Sequence, residues 1–176
     1  MKKVNSFEIF GVFTSEDWSY ATLVNRSKSH FVPIILLPFH KFYLDIINNP
    51  ESPDNSYGPY SLLLDSWQSV GMSLKSIQFV VHSNEAGQTS TKGSYKLEMK
   101  NDIGTQIGIF HSDPTDALIV SAVVDIPIFV NDKTMPYLAI ELSKNDLNDV
   151  EILNEVQSQM DVFCKKTSAL KKPKSQ

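Results

Sequence analysis

The chain has one cysteine, Cys164, and one arginine, Arg26, among its 176 residues. A lone cysteine excludes a disulfide framework and a thiolate metal cage, and it fits a reducing compartment. Arginine scarcity is part of a wider shortage of positive charge. Residues 1–163 carry 11 basic side chains against 20 acidic ones, and the last 13 residues carry five lysines and no acid. The formal net charge of −4 thus joins an acidic body to a basic tail. Nucleic-acid binders draw much of their affinity from phosphate neutralisation by a basic face, which this body lacks. The longest apolar run, residues 31–39, contains Pro33 and Pro38 and falls well short of the roughly 20 residues of a membrane span. Residues 1–8 hold two lysines but no apolar core of the kind secretory signals need, so a cytoplasmic protein with no membrane partner is expected. The four histidines show no paired metal-ligand spacing, and no glycine-rich phosphate loop or nucleotide fingerprint occurs.

What is present is ordinary globular chemistry, 41% hydrophobic and 20% charged, in a length that suits one domain. Alternation at residues 6–13 and 19–25 predicts two strands joined by a polar turn at 14–17. The continuous apolar run at 31–37 predicts a buried central strand. Pro38 suits the first position of a helix to about residue 48, with Phe39, Phe42, Tyr43 and Ile46 as its core stripe. Residues 48–57 are turn chemistry throughout, a surface loop. Gly58-Pro59 opens a second helix, with Leu62, Leu63, Trp67 and Val70 on one side and Gly71 as its stop.

The order then repeats. Residues 74–82, 93–100 and 103–110 read as strands, a Pro114-started helix runs to about 124, and short strands follow at 127–130 and 137–142. Three strands and a Pro-started helix occur twice, which predicts an α+β fold: a mixed or antiparallel sheet from a duplicated β-β-β-α unit with helices packed on it. The domain spans 1–142. A C-terminal amphipathic helix at 143–170 carries Leu147, Val150, Leu153, Val156, Met160 and Phe163 as a stripe that suits the domain's own core or a partner helix. The tail 171–176 is expected to be frayed.

Three segments carry a family likeness. Residues 111–132, from His111-Ser112-Asp113-Pro114-Thr115-Asp116-Ala117 through Pro127-Ile128-Phe129-Val130 to Asn131-Asp132, look like a signature in which Arg-Pro-Ser-Asp-Ala opens a helix and a Pro-Ile-Phe-Val strand ends in Asn/Ser-Asp. Val32-Pro33-Ile34-Ile35-Leu36 is similar to a Leu-Pro-Ile-Trp-Ile block, and Leu62-Leu63-Leu64 to the helix after a Thr-His-Asp motif. Together they resemble the bifunctional nuclease (BFN) family over about residues 5–142. The resemblance implies metal-assisted hydrolysis of DNA or RNA phosphodiesters, with Mg²⁺ or Mn²⁺ as cofactor, on a fold that self-associates into a homo-oligomer. Of the family's polar positions, Asp116 is retained. His40 stands where the family has Glu, Leu37 where it has Gly, Asp113 where it has Arg, and Pro59-Tyr60-Ser61 where it has Thr-His-Asp.

The candidate site follows from these positions. Asp116, His111 and His40 are the candidate catalytic residues, a carboxylate with one or two bases. Asp116 and Asp132 are the candidate metal ligands, and Tyr60 and Lys41 the candidate substrate contacts. Each has a plainer reading beside the chemical one. Asp113 as N-cap, Pro114 at the first position and Asp116 two residues on make a good helix start. The two histidines suit ordinary structural sites, and Asn131-Asp132 suits a turn cap. Tyr57, Tyr60 and Trp67 could stack on bases, although Trp67 beside a leucine run suits the core. A nuclease and a non-catalytic self-associating scaffold or regulatory domain therefore both stand as expectations.

Overall fold

The computed structural model describes residues 4–14, 18–47, 58–83, 89–101, 104–144 and 147–170. The expected loop at 48–57, the basic tail at 171–176 and most of the turn at 14–17 lie outside them. The elements in chain order are β1 (Val4–Thr14), β2 (Ser19–Asn25), β3 (His30–Leu36), α1 (Pro38–Ile47), α2 (Pro59–Ser69), β4 (Met72–Ser83), β5 (Thr89–Asn101), β6 (Gly104–Ser112), α3 (Pro114–Val124), β7 (Ile128–Asn131), α4 (Met135–Leu138), β8 (Ile140–Glu141) and α5 (Asp149–Leu170).

The eight strands form one mixed sheet in the order β6-β5-β4-β7-β1-β2-β3-β8. Each half is an antiparallel meander, β1-β2-β3 or β4-β5-β6, that runs outward from the centre and ends in a Pro-started helix. The twice-occurring β-β-β-α order is thus a spatial arrangement as well as a sequence pattern. Between the halves lies β7, antiparallel to β1 and parallel to β4.

Alternation along the strands sends side chains to two different cores. Ala21 and Leu23 of β2, Val32 and Ile34 of β3, and Ile77 and Phe79 of β4 join α3 and Leu44 of α1 on one face. Tyr20, Val24 and Phe31 point the other way and meet Leu147, Ile152, Val156 and Met160 at α5. The C-terminal helix therefore covers the domain's own sheet. α3 is buried on every side, from Thr115 and Ala117 through Ser121, as its uniformly apolar Ala-Leu-Ile-Val sequence requires.

The buried faces of three helices differ from those expected. On α1 the buried residues are His40 and Leu44, with Tyr43 and Ile47 packed beside them, while Phe39 and Phe42 are exposed. On α2 the inward side is Tyr60, Leu64 and Trp67, and Leu62 is 69% exposed. On α5 Ile152 replaces Val150, which is exposed, and Phe163 is half exposed. In each case apolar residues populate two adjacent faces, so the periodicity alone does not fix the rotation about the helix axis.

Two strand expectations change as well. Residues 137–142 supply only the two-residue β8, preceded by the short α4. Because β8 pairs only with His30 and Phe31, β3 is not a central strand, and its outer side is open along Pro33–Leu36 among the described residues. Pro33 suits that place, since a residue without an N–H blunts an exposed edge.

Candidate functional site

The N-terminus of α3 is built as the sequence suggests. Asp113 is the N-cap, its Oδ1 accepting from the Thr115 amide at 2.9 Å and the Thr115 hydroxyl at 2.8 Å, with Pro114 next. Docking of this turn depends on Gly93 in β5, because a side chain there would overlap the Ala117 side chain and crowd the Asp113 carbonyl. Asp116, in the same turn, projects towards the first turns of α1 and α2.

There Asp116 Oδ1 accepts a hydrogen bond from the Tyr60 hydroxyl at 2.8 Å and lies 3.6 Å from His40 Nε2. His40 is buried, and among the described residues its Nδ1 has no hydrogen-bond partner. The Nε2 side of the ring is the one that faces Asp116. The Tyr60 hydroxyl is held well above the ordinary tyrosine range, first by burial, then by its bond to Asp116 and that carboxylate's charge. Tyr43 meets the Tyr60 ring edge-on, with centroids 5.3 Å apart.

Above this trio opens a pocket of about 500 Å³, a volume typical of small-molecule sites. Its walls come from Phe39 of α1, Tyr60, Leu63 and Trp67 of α2, Tyr95 of β5, Phe110 and Ser112 of β6, and Asp116. Trp67 and Tyr95 meet at 60° with centroids 5.5 Å apart, forming an aromatic corner. Ser112 Oγ donates to the Asp113 carbonyl at 2.8 Å and shares a 2.8 Å hydrogen bond with the Tyr95 hydroxyl. Burial pushes the Tyr95 hydroxyl up to about 12, partly offset by the Ser112 bond and reinforced by the charges of Asp116 and Asp113.

Of the residues singled out from the sequence, Asp116, Tyr60 and His40 are brought together. His111 only reaches the rim. Phe110 and Ser112 on either side of it face the pocket, so strand alternation turns the His111 ring to the opposite face of the sheet. There it meets His82 edge-on at 5.0 Å. Lys41 is paired with Asp45 at 2.6 Å and lines a different groove, beside Trp18, Pro38 and Phe42. Asp132 accepts from Asn5 at 3.3 Å, while Asn131 Oδ1 caps the following turn through the amides of Lys133 and Thr134. Among the described residues no group of three or more His, Cys, Asp or Glu is placed to hold a metal ion. Tyr95, Phe110 and Ser112 carried no signal in the sequence beyond their strand positions.

A second exposed feature adjoins the pocket. β6 is an edge strand of nine residues, Gly-Thr-Gln-Ile-Gly-Ile-Phe-His-Ser, paired to β5 without a bulge. It contains no charge and no proline, and Ile107 and Ile109 are 57% and 64% exposed on the face that α5 leaves bare. No helix among the described residues is long and apolar enough to cross a membrane. Comparison with protein-family models and with curated proteins finds no match.

Proposed function

We propose that this chain is a non-catalytic regulatory or scaffold domain that self-associates, two copies joining antiparallel along β6. One observation carries the reading: a nine-residue outer edge with no charged residue, proline or bulge to protect it. Soluble proteins ordinarily blunt such edges, because a row of unpaired N–H and C=O groups is a template for another strand. The sequence of β6 is also nearly self-complementary about Gly108. An antiparallel pair centred there sets Ile107 of each copy opposite Ile109 of the other, giving four isoleucines in one cross-strand cluster and no like charges face to face. A cytoplasmic setting accompanies this reading, on the strength of the lone Cys164.

The test is sedimentation equilibrium of the wild-type chain beside an Ile107→Lys/Ile109→Lys variant. A wild-type dimer that becomes a monomer in the variant is the expected result. A wild-type monomer, or a dimer untouched by the two lysines, overturns it.

The second reading is metal-assisted nuclease activity on DNA or RNA, as the resemblance implies, and the buried His40 beside Asp116 favours it. Against it stands the pocket's lack of any lysine or arginine to meet a developing phosphate charge. Incubation with single-stranded RNA and DNA, with and without Mg²⁺ or Mn²⁺, beside Asp116→Asn decides between them. Cleavage that requires metal and is lost in the variant replaces the non-catalytic reading.

A further inference from the structure

We infer that the pocket over Asp116 is a binding site for a small organic cation, an alkyl- or trimethylammonium group held among aromatic rings and balanced by the Asp116 carboxylate. Five rings from four separate elements converge on it: Phe39, Tyr60, Trp67, Tyr95 and Phe110. The faces of such rings are negative, and a cation among them is attracted most strongly where water is displaced. The only carboxylate among those walls is Asp116. Its Oδ1 is oriented by Tyr60, and its side chain is 37% exposed, so the carboxylate is within reach of a charged guest.

The alternatives fit less well. A neutral apolar ligand filling the pocket would strip water from a carboxylate without replacing it, a cost that an ammonium group removes. An anion would meet Asp116 with no lysine or arginine in the walls. The first turns of α2 and α3 do lie close by, and helix N-termini attract anions. Here, however, both first turns begin with proline, which has no N–H to offer, and Asp113 already occupies the Thr115 amide. Half-charges at two helix ends are outweighed by a full carboxylate charge. The acidic body, 20 acids against 11 bases over residues 1–163, adds a field that draws in cations.

This site is independent of strand pairing at β6, although Phe110 belongs to both regions. Isothermal titration with choline and with 3,3-dimethylbutan-1-ol, which has carbon in place of the ammonium nitrogen, separates charge from shape. The full chain is expected to bind choline at least about tenfold more tightly than the alcohol, a cation–aromatic and ion-pair difference of modest size. Asp116→Asn, with its fold checked by circular dichroism, is expected to remove most of that preference. Trp67→Leu is expected to weaken choline more than the alcohol. Equal binding of the two probes, binding of neither at millimolar concentration, a preference that survives Asp116→Asn, or displacement of choline by inorganic phosphate each overturns the proposal. Repeating the titration on Ile107→Lys/Ile109→Lys keeps its outcome separate from that of the dimer.

Discussion

Ala117, in the first turn of α3, occupies the space that a side chain at Gly93 would need. β5 and α3 therefore touch backbone to side chain, and the pocket walls on either side, Tyr95 and Asp116, are set by that contact. Gly93→Ala is expected to destabilise the protein by about 2 kcal/mol through overpacking, measured as a lower urea midpoint with unchanged slope. The neighbouring Tyr95–Ser112 hydrogen bond should weaken with it. An alanine tolerated within a few tenths of a kcal/mol would mean that α3 does not dock as described.

Asp113 caps α3 through the Thr115 amide and hydroxyl. Asp113→Ala is expected to cost about 1 kcal/mol, and Asp113→Asn, which keeps an acceptor oxygen, only a fraction of that. Chemical denaturation of the two variants side by side checks the order. Equal losses would show that charge rather than capping is what the position supplies.

The rotation of α5 can be read by truncation. Ile152 is fully buried against Tyr20, Val24 and Phe31, whereas Val150 is mostly exposed. Ile152→Ala is expected to cost about 3 kcal/mol. Val150→Ala should stay within about 0.5 kcal/mol. Reversed magnitudes in thermal or urea unfolding would restore the rotation that the sequence stripe suggested.

Two tyrosines at the pocket have raised hydroxyl pKa values, Tyr95 to about 12 and Tyr60 higher still. In the unfolded chain both ionise near 10, so above that pH the unfolded state releases protons that the folded state retains. Stability from this source is complete below about pH 10 and falls as pH rises towards the folded values, on the order of 1 kcal/mol per pH unit for each group. An ultraviolet titration of the folded protein should show these hydroxyls ionising after the more exposed tyrosines. Unfolding midpoints at pH 9 and 11 should drop for the wild type and drop less for Tyr60→Phe. A midpoint indifferent to pH over that interval would contradict the buried placement.

Local chemistry made much of this fold legible. Proline at the first position of a helix marks Pro38, Pro59 and Pro114, and the Asp113 cap is readable from its neighbours alone. The twofold repetition of three strands and a helix survives into the sheet order because each meander closes on sequence neighbours. What was not legible depends on contacts distant in the chain. His40 and Tyr60 face inward because Asp116 receives them, and nothing near either residue announces that partner. α1 and α2 present these two polar residues inward with Leu44, Leu64 and Trp67, and Phe39, Phe42, Leu62 and Leu63 stay outside the core. His111 looked like a neighbour of Asp116 by sequence distance, yet strand parity sends its ring to the other face. The aromatic walls at Tyr95 and Phe110 are invisible to periodicity, since a strand residue beside a pocket and one in a core have the same pattern.

β7 carries a consequence for how the chain is made. Its four residues, Ile128–Asn131, lie between the two meanders, and among the described residues β1 and β4 meet no other strand on their inner sides. A growing polypeptide that has emerged only as far as α3 therefore has all six meander strands but two unsatisfied inner edges, with Phe7 and Ile77 still lacking their neighbour Ile128. α3 already packs on both halves, but the sheet becomes continuous only when the segment after Asp125 threads between them. Ribosomal arrest before that point would leave a species with sticky strand edges, the form most in need of a chaperone during synthesis.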